Sequence, residues 1–184
     1  MLPALLTPAD FSTATGGKVS PTDPRVKPLL DGATAGVRRY CGWHVAPQVD
    51  TTVTLDGPGG NLLLLPSLHV TAVTSVKVRG VELDPDGFEW SEKGMLRRLG
   101  GCWPTRFRSI EVTLTHGFEV APDVVQIIQQ VCANAIASPM GATREQAGQI
   151  SIAWATTAPG VSGGMSLLDR DLAILDMYRL PKGA

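Results

Sequence analysis

The stretch that most constrains the fold is residues 121–138, which predict a helix surrounded by other elements. Pro122 sets φ for a first helical turn, and Asp123 places a carboxylate near the positive end of the helix dipole. Apolar residues then recur at three- and four-residue steps: Val124, Ile127, Ile128, Val131, Ala135 and Ile136. The polar remainder carries no charge: Gln126, Gln129, Gln130 and Asn134. Because an apolar stripe this broad must be covered, we expect the rest of the chain to pack around this helix.

Two further helices are predicted before the central part of the chain. Thr7 and Pro8 have the residue types of an N-cap and a first helical position, which indicates a short helix that Gly16 ends. A second amphipathic pattern follows, and we expect its regular part to run from Pro28 to a C-cap at Gly42.

A fourth helix is predicted near the C-terminus. Ser166 is expected to cap it with Asp169 at the third position, and Pro181 is expected to end it. Between this helix and the central one, residues 141–164 are rich in Gly, Ala, Thr and Ser, which predicts a long loop with one strand around residues 150–154.

Between residues 49 and 118 the pattern changes from helices to strands. Gly-, Pro- and Asp-rich turns separate short β-type segments at residues 51–55, 62–65, 70–81, 88–90, 95–99 and 110–114. Short strands with tight turns favour an antiparallel sheet or a small barrel over βαβ units. The predicted fold is therefore α+β: a small bundle of three to four helices from residues 1–48 and 119–184, with residues 49–118 inserted as a β unit.

Composition excludes several classes of protein. At 184 residues the chain is expected to form one domain, or a small domain with an insertion. A net charge of −1 with 18% charged residues gives no general electrostatic reason to bind nucleic acid or a membrane. The three cysteines form no C-x-x-C pair, the N-terminus lacks a basic signal-peptide region, and no apolar run is long enough to span a bilayer. We therefore expect a soluble cytosolic protein without membrane contact.

One motif raises the possibility of a hydrolase. Residues 160–164 match the pattern G-x-S-x-G, in which the serine is the nucleophile and the catalytic histidine follows it along the chain. His44, His69 and His116 all precede Ser162. A protease with the order His, Asp, Ser stays open, but no other part of such a site is recognisable. A glycine-rich loop is the favoured interpretation, and we predict no catalytic residues.

Thiol and imidazole groups offer a second possibility, a metal site. Cys41, His44, Cys102, His116 and Cys132 could supply ligands, but their spacing matches no paired-ligand pattern. Buried cysteines acting as small apolar residues explain Cys41 and Cys132 better. No phosphate-binding or dinucleotide-binding glycine motif is present, so we predict neither a metal nor a cofactor.

Charged residues in the β unit are separated by sign along the chain. The acidic members are Glu82, Asp84, Asp86, Glu89 and Glu92, and the basic ones that follow are Lys93, Arg97, Arg98, Arg106 and Arg108. One interpretation is two solvated faces of a sheet. The other is an acidic and a basic patch on opposite sides of a subunit, which would suit head-to-tail assembly.

Several stretches together resemble a known family. They read T-P-A-D-F, D-P-R-V-K-P-L-L-D-G-A-T-A-G-V-R-R-Y-C-G-W-H-V-A-P, L-P-S-L-H-V-T-A-V-T-S-V, E-W-S-E-K-G-M-L-R-R, H-G-F-E-V-A-P-D-V and L-L-D-R-D-L-A-I-L-D-M-Y-R-L-P. They cover most of the chain, and none is a catalytic signature. The chain resembles the small head–tail connector (adaptor) proteins of long-tailed bacteriophages, in particular those of actinobacteriophages with a β insertion.

This resemblance implies a structural protein of the virion, not an enzyme. Related adaptors form a ring, typically of twelve subunits, that docks beneath the portal at the capsid vertex and binds the next neck or tail-completion protein below. Viral DNA passes through the ring without sequence-specific contact. The protein would be assembled in the bacterial cytoplasm and reside at the head–tail junction.

In related rings the C-terminal segment reaches the portal, which here would be residues 167–184. The short tail after the last helix departs from relatives with longer arms. The side chains expected to dock on the portal are Leu167, Leu168, Leu172, Ile174, Leu175, Tyr178 and Arg179. Because the apolar ones surround most of the predicted helix, we expect this helix to govern docking more than folding.

Two alternatives stay open. A different ring component of the neck, such as a tail-completion protein, would share this composition. A nucleic-acid-binding β-barrel would use the basic run of residues 93–108, with Trp103 and Phe107 as stacking residues.

Overall fold

The computed structural model describes residues 2–137, 144–147, 150–153 and 167–181. Contacts divide the chain into two compact units. The helical unit comprises Met1–Tyr40 and Pro122–Met177, and the β unit comprises Cys41–Ala121 and Tyr178–Ala184. The predicted α+β class is confirmed, whereas the predicted limits of the insertion, residues 49 and 118, stay a prediction.

Four α-helices lie in the described chain: α1 Pro8–Ala14, α2 Val26–Cys41, α3 Pro122–Ala137 and α4 Asp169–Asp176. In α1, the Thr7 hydroxyl accepts a hydrogen bond from the Asp10 backbone N–H at 3.2 Å, as its N-cap role predicts. In α3 the buried side chains recur at helical spacing: Val124, Ile127, Ile128, Val131, Cys132 and Ala135. The central helix and its buried face are therefore confirmed.

Two helix boundaries differ from the prediction. Helix α2 begins at Val26, so Pro28 falls in its first turn. Backbone N–H groups in the first turn have no acceptor within the helix, so proline is tolerated there. Helix α4 begins at Asp169, with Asp171 and not Asp169 at the third position. The Asp171 carboxylate accepts the Leu168 backbone N–H at 3.0 Å. The helix ends at Asp176, five residues before Pro181, because the Leu180 N–H donates to the Cys41 carbonyl at 2.9 Å instead of continuing the helix.

The strands of the β unit form two open antiparallel sheets. The four-stranded sheet has the order β1-β7-β3-β4, and the three-stranded sheet has the order β2-β6-β5. The strands are β1 Val49–Leu55, β2 Leu62–Leu64, β3 Val70–Val78, β4 Val81–Glu82, β5 Phe88–Ser91, β6 Met95–Arg98 and β7 Ile110–His116. No closed barrel occurs in the part of the chain that the structure describes, so the sheet alternative was correct.

The segment predicted as one long strand, residues 70–81, is a hairpin. Arg79 and Gly80 have φ values of 55° and 82°, and strand β4 turns back so that Val81 pairs with Val78. Two successive residues with positive φ form the tight turn that matches the twist of a two-residue hairpin. The Val- and Thr-rich sequence on both sides conceals this turn.

The core of the β unit lies along β7, whose side chains alternate between buried and less buried positions. The buried residues of this core are Leu63, Leu65, Val70, Val76, Leu96, Trp103, Ile110, Val112 and Leu114. The alternation predicted for Ile110, Val112 and Leu114 is confirmed. Within the predicted loop of residues 141–164, the described part is an antiparallel pair of β8 Arg144–Ala147 and β9 Ile150–Ala153. The strand predicted around residues 150–154 is therefore present as β9, whereas its partner β8 was not predicted.

Candidate functional site: interaction surfaces

Helix α4, the predicted docking element, contributes to the core of the helical unit. Leu175 is completely buried, and the Tyr40 hydroxyl donates a hydrogen bond to the Asp176 carboxylate at 2.6 Å. Leu172 and Ile174 are half-buried. The expectation that this helix matters for docking more than for folding is therefore wrong for Leu175, because a side chain with no exposed surface cannot meet a partner.

The residues after α4 pack within the β unit. The Trp43 indole N–H donates to the Tyr178 carbonyl at 2.6 Å, and the Tyr178 ring lies edge-on to Phe118 with centroids 5.5 Å apart. Leu180 sits against Gly42, where an added Cβ would lie 3.5 Å from the Leu180 Cβ. Tyr178 and Arg179, two of the predicted docking residues, are half-buried in this segment.

A histidine pair lies beside this aromatic cluster. The rings of His44 and His116 meet edge-on with centroids 4.3 Å apart, and the Trp43 ring stacks on His116 at 6.5 Å. Burial, with a smaller contribution from His44, lowers the pKa of His116 to about 4. The buried His116 Nδ1 has no hydrogen-bond partner among the described residues. The arrangement favours a neutral imidazole packed as part of the core.

The structure supports no metal centre among the groups that it describes. No three of the described His, Cys, Asp or Glu side chains are arranged to hold an ion. Cys41 and Cys132 are buried, as predicted for small apolar residues, and burial raises the pKa of the Cys132 thiol to about 11. Cys102 is exposed. Ser162 and its glycine motif lie outside the described residues.

One acidic and one basic residue of the predicted patches are paired in the three-stranded sheet. Glu89 on β5 pairs in register with Arg97 on β6, and their charged groups form a salt bridge of 3.0 Å. Arg98 donates to the Cys102 carbonyl at 2.7 Å, and its guanidinium carbon lies 5.7 Å from the ring centroid of Trp103. The prediction of acidic and basic patches on opposite sides of the subunit is wrong for Glu89 and Arg97, which share one sheet.

The other charged residues of the predicted interface are on the surface. Glu82 accepts a hydrogen bond from the Ser75 hydroxyl at 2.9 Å, and Asp84 accepts the Asp86 N–H at 3.0 Å in the turn before β5. The exposed members of the set are Glu82, Asp84, Glu89, Glu92, Lys93, Arg97, Arg106 and Arg108. These groups are therefore accessible to a partner, but exposure alone does not identify which of them contact it.

An apolar face on the three-stranded sheet was missed by sequence reasoning. Leu62, Leu64 and Met95 are 44%, 42% and 37% exposed, whereas Leu63 and Leu96 between them are buried. Leu64 pairs in register with Met95, so the exposed side chains share one face. The run of four leucines at residues 62–65 resembles a strand buried on both faces, and only the pairing shows which leucines face outwards.

The two aromatic residues predicted to stack on bases differ in exposure. Trp103 is 2% exposed and donates its indole N–H to the Asn61 carbonyl at 2.9 Å, so it belongs to the core. Phe107 is 81% exposed. The stacking hypothesis is therefore wrong for Trp103, and Phe107 alone is available to a partner.

Comparison with known proteins identifies the family of this chain. A model of the family described as head completion protein matches residues 4–133, well over half of the chain. The chain belongs to the head completion protein family. The resemblance to phage head–tail connector (adaptor) proteins is thereby confirmed, and the family assigns the chain a structural role in head completion. No curated protein matches the sequence.

Solved structures share the fold of this head completion protein. A chain from the neck of a native GTA (gene transfer agent) particle, computed with C12 symmetry, matches with a TM-score of 0.58 and 14% identity, over 100% of this chain and 97% of that one. A chain from the virion of a native gene transfer agent particle matches with a TM-score of 0.59 and 15% identity, over 98% and 92%. Across the described residues, no helix combines the length and apolar character needed to cross a bilayer.

Proposed function

We propose that this head completion protein forms a homo-oligomeric adaptor ring between the capsid portal and the tail. The observation that carries the proposal is the family match over residues 4–133. The fold shared with a chain from a neck computed with C12 symmetry supports a ring of identical subunits, and twelve is the expected number. The portal lies above this ring, the next neck or tail-completion protein lies below, and viral DNA passes through the lumen without sequence-specific contact. The subunits assemble in the bacterial cytoplasm.

We propose that portal docking uses the less buried side chains of the C-terminal segment. Leu167, Leu168, Leu172 and Ile174 keep part of their surface exposed, and so do Tyr178 and Arg179 after the helix. Leu175 is dropped from this set because it is buried. Docking would then use the exposed parts of these side chains while Leu175 stays buried in the helical unit, so binding need not unfold the helix.

The exposed charged groups of the β unit are proposed to contribute to contacts between subunits. Exposed ion pairs contribute only about 0.2–1 kcal/mol each, but a ring repeats the contact at every interface. Arg97 is less suitable than Arg106 or Arg108 as a test position, because Glu89 already occupies its guanidinium within the subunit. Ring assembly is expected to weaken as salt concentration rises.

The test is cryo-electron microscopy of the chain mixed with its portal protein. The expected result is a closed ring of this chain on one end of the portal, with twelve-fold symmetry. Binding as separate monomers, or no binding at all, would refute the adaptor role. A ring that binds only the tail-side protein would favour the alternative of a tail-completion component.

Docking by α4 is tested with Leu168→Ser and Ile174→Ser in a portal pull-down. The matched control is Ala173→Ser, which changes an exposed position of the same helix. Circular dichroism establishes that each variant is folded. Folded Leu168 and Ile174 variants that bind the portal as well as the control does would move the docking surface elsewhere.

The proposed role is non-enzymatic. Ser162→Ala is therefore expected to leave assembly unchanged, and the wild type is expected to have no hydrolase activity that the substitution could remove. The nucleic-acid-binding barrel is not supported, because Trp103 is buried and the described sheets are open.

A further inference from the structure

The most exposed large apolar side chain of the described residues is Phe107, which is 81% exposed. It lies in the connection between β6 and β7, with an arginine on each side. Neither Arg106 nor Arg108 forms an ion pair with any residue that the structure describes. An aromatic ring between two arginines combines residue types that are enriched at the centres of protein interfaces.

The backbone on both sides of Phe107 is tightly held. The Arg106 carbonyl accepts hydrogen bonds from the Gly57 N–H at 2.9 Å and from the Ser109 hydroxyl at 2.6 Å. The Arg108 N–H donates to the Asp56 carboxylate at 2.7 Å. Phe107 is thus presented by a preorganised turn, which lowers the entropy lost when the ring is buried by a partner.

Close packing beneath the turn strengthens this conclusion. A Cβ added to Gly57 would lie 1.9 Å from the Pro104 carbonyl oxygen, and one added to Gly59 would lie 2.7 Å from the Thr105 methyl carbon. Arg108 adopts a φ of 51°, a conformation that non-glycine residues rarely take. A surface turn with this much internal constraint places its exposed aromatic side chain in a defined position.

A complementary groove exists on the three-stranded sheet. It has a volume of about 160 Å³ and is lined by Leu62, Glu89, Trp90, Ser91, Met95 and Arg97. An apolar cavity of about 150 Å³ is large enough to hold benzene, so a groove of this volume has room for a phenyl ring. Its acidic lining residue is Glu89, whose side chain is 54% exposed and forms the salt bridge with Arg97. Glu92, which is exposed, directly follows the lining residue Ser91 along the chain.

We propose that Phe107 of one subunit inserts into this groove on the next subunit of the ring. In the contact, Arg106 and Arg108 face Glu92 and the Glu89 carboxylate of the neighbour, and that carboxylate is shared with Arg97 of its own subunit. The two surfaces are different parts of the same unit, as a head-to-tail contact that closes into a ring requires. This inference rests on the proposed ring and adds the residues that join its subunits.

A second copy of this chain suits the turn better than nucleic acid does. The Phe107 ring cannot form a hydrogen bond with a base edge, and in duplex DNA it could contact the base faces only by unstacking two base pairs. The chain carries a net charge of −1, and two arginines are a small basic patch for a duplex. The groove has room for the Phe107 ring, and Glu92 together with the shared Glu89 carboxylate offers acidic groups to the two arginines.

The first test compares Phe107→Ser with Val120→Ser, which removes another highly exposed apolar side chain of the β unit. Analytical ultracentrifugation over a concentration series measures the association of wild type and of both variants. We expect Phe107→Ser to weaken association about 30-fold, the change that corresponds to about 2 kcal/mol at an interface hot spot. Val120→Ser should associate as the wild type does.

A cross-linking test checks the partner surface directly. In a Cys102→Ser background, the variants Phe107→Cys, Leu62→Cys and the combination of both are assembled at a protein concentration at which Phe107→Ser still associates, and are then oxidised. Only the combination should give a ladder of covalent multimers, because each subunit then carries both halves of the contact.

The outcomes separate this inference from the ring itself. If the wild type associates and Phe107→Ser associates equally well, or the double cysteine variant gives no ladder, the inference is refuted and the ring stands. If the wild type does not associate at any concentration and forms no ring on its portal, both are refuted. If Phe107→Ser associates normally but loses affinity for duplex DNA in a gel-shift assay, the turn is a nucleic-acid contact and the inference is refuted.

Discussion

Removing the buried histidine His116 should eliminate a large part of the acid sensitivity of the β unit. His116 is 5% exposed, its Nδ1 lacks a described partner, and its ring contacts His44 and Trp43. These surroundings disfavour the charged imidazolium and lower the pKa of His116 from 6.5 to about 4. Leucine has a similar volume and no charge, so His116→Leu tests protonation with little change in packing.

The sign and size of the effect follow from linkage. Between pH 4 and 6.5 the unfolded chain binds a proton at His116 that the folded chain does not bind, so the free energy of unfolding falls as the pH falls. At about 1.4 kcal/mol per pKa unit, the complete loss is about 3.4 kcal/mol, and about 2.4 kcal/mol of it separates pH 7 from pH 4.5. The contribution is fully present above pH 6.5 and is lost as the pH falls towards 4.

Urea unfolding followed by tryptophan fluorescence measures this effect, because Trp43, Trp90 and Trp103 all lie in the β unit. The wild type should lose about 2.4 kcal/mol more stability than His116→Leu when the pH changes from about 7 to about 4.5. The matched control is His69→Gln, which removes the histidine stacked on Phe118 and leaves the buried pair in place. Equal pH slopes for wild type and His116→Leu would refute the conclusion that His116 is neutral in the folded protein.

Two further predictions concern stability. Leu175→Ala should lower the free energy of unfolding of the helical unit by about 2–5 kcal/mol because it leaves a cavity, while Leu172→Ala at a half-buried position should cost clearly less. Thermal unfolding followed by circular dichroism compares the two variants, and equal losses of stability would contradict a core role for α4. Gly94→Ala should destabilise the β unit by about 1–3 kcal/mol more than Gly80→Ala, because both glycines have positive φ but only at Gly94 would the Cβ lie 2.0 Å from the Ser67 carbonyl oxygen. Urea titration measures the free energy of unfolding of both variants, and their difference gives the steric cost apart from the cost of the backbone conformation. If Gly94→Ala is as stable as Gly80→Ala, the backbone at Ser67 shifts without a measurable cost.

The elements that the sequence determined by itself are those whose signals are local. The span of α3 follows from Pro122 and from apolar residues at helical spacing, and the structure has it as predicted. Strand β7 follows from strict alternation, and the cap of α1 follows from Thr7 and Pro8. In each case the groups that interact are neighbours along the chain, so no distant residue is needed to recognise them.

What only the tertiary structure decided depends on which distant segments meet. The pairing of β2 with β6 directs Leu62 and Leu64 outwards, because a shift of one residue would have exchanged the two faces. Glu89 and Arg97 are eight positions apart, and their salt bridge exists because the turn between β5 and β6 sets the register. Leu175 lies in a pattern that is apolar on most sides, so the pattern alone could not say which side would be covered. Period and capping are properties of a segment, whereas register and burial depend on its partners. Here those partners decide which apolar and charged groups remain on the surface.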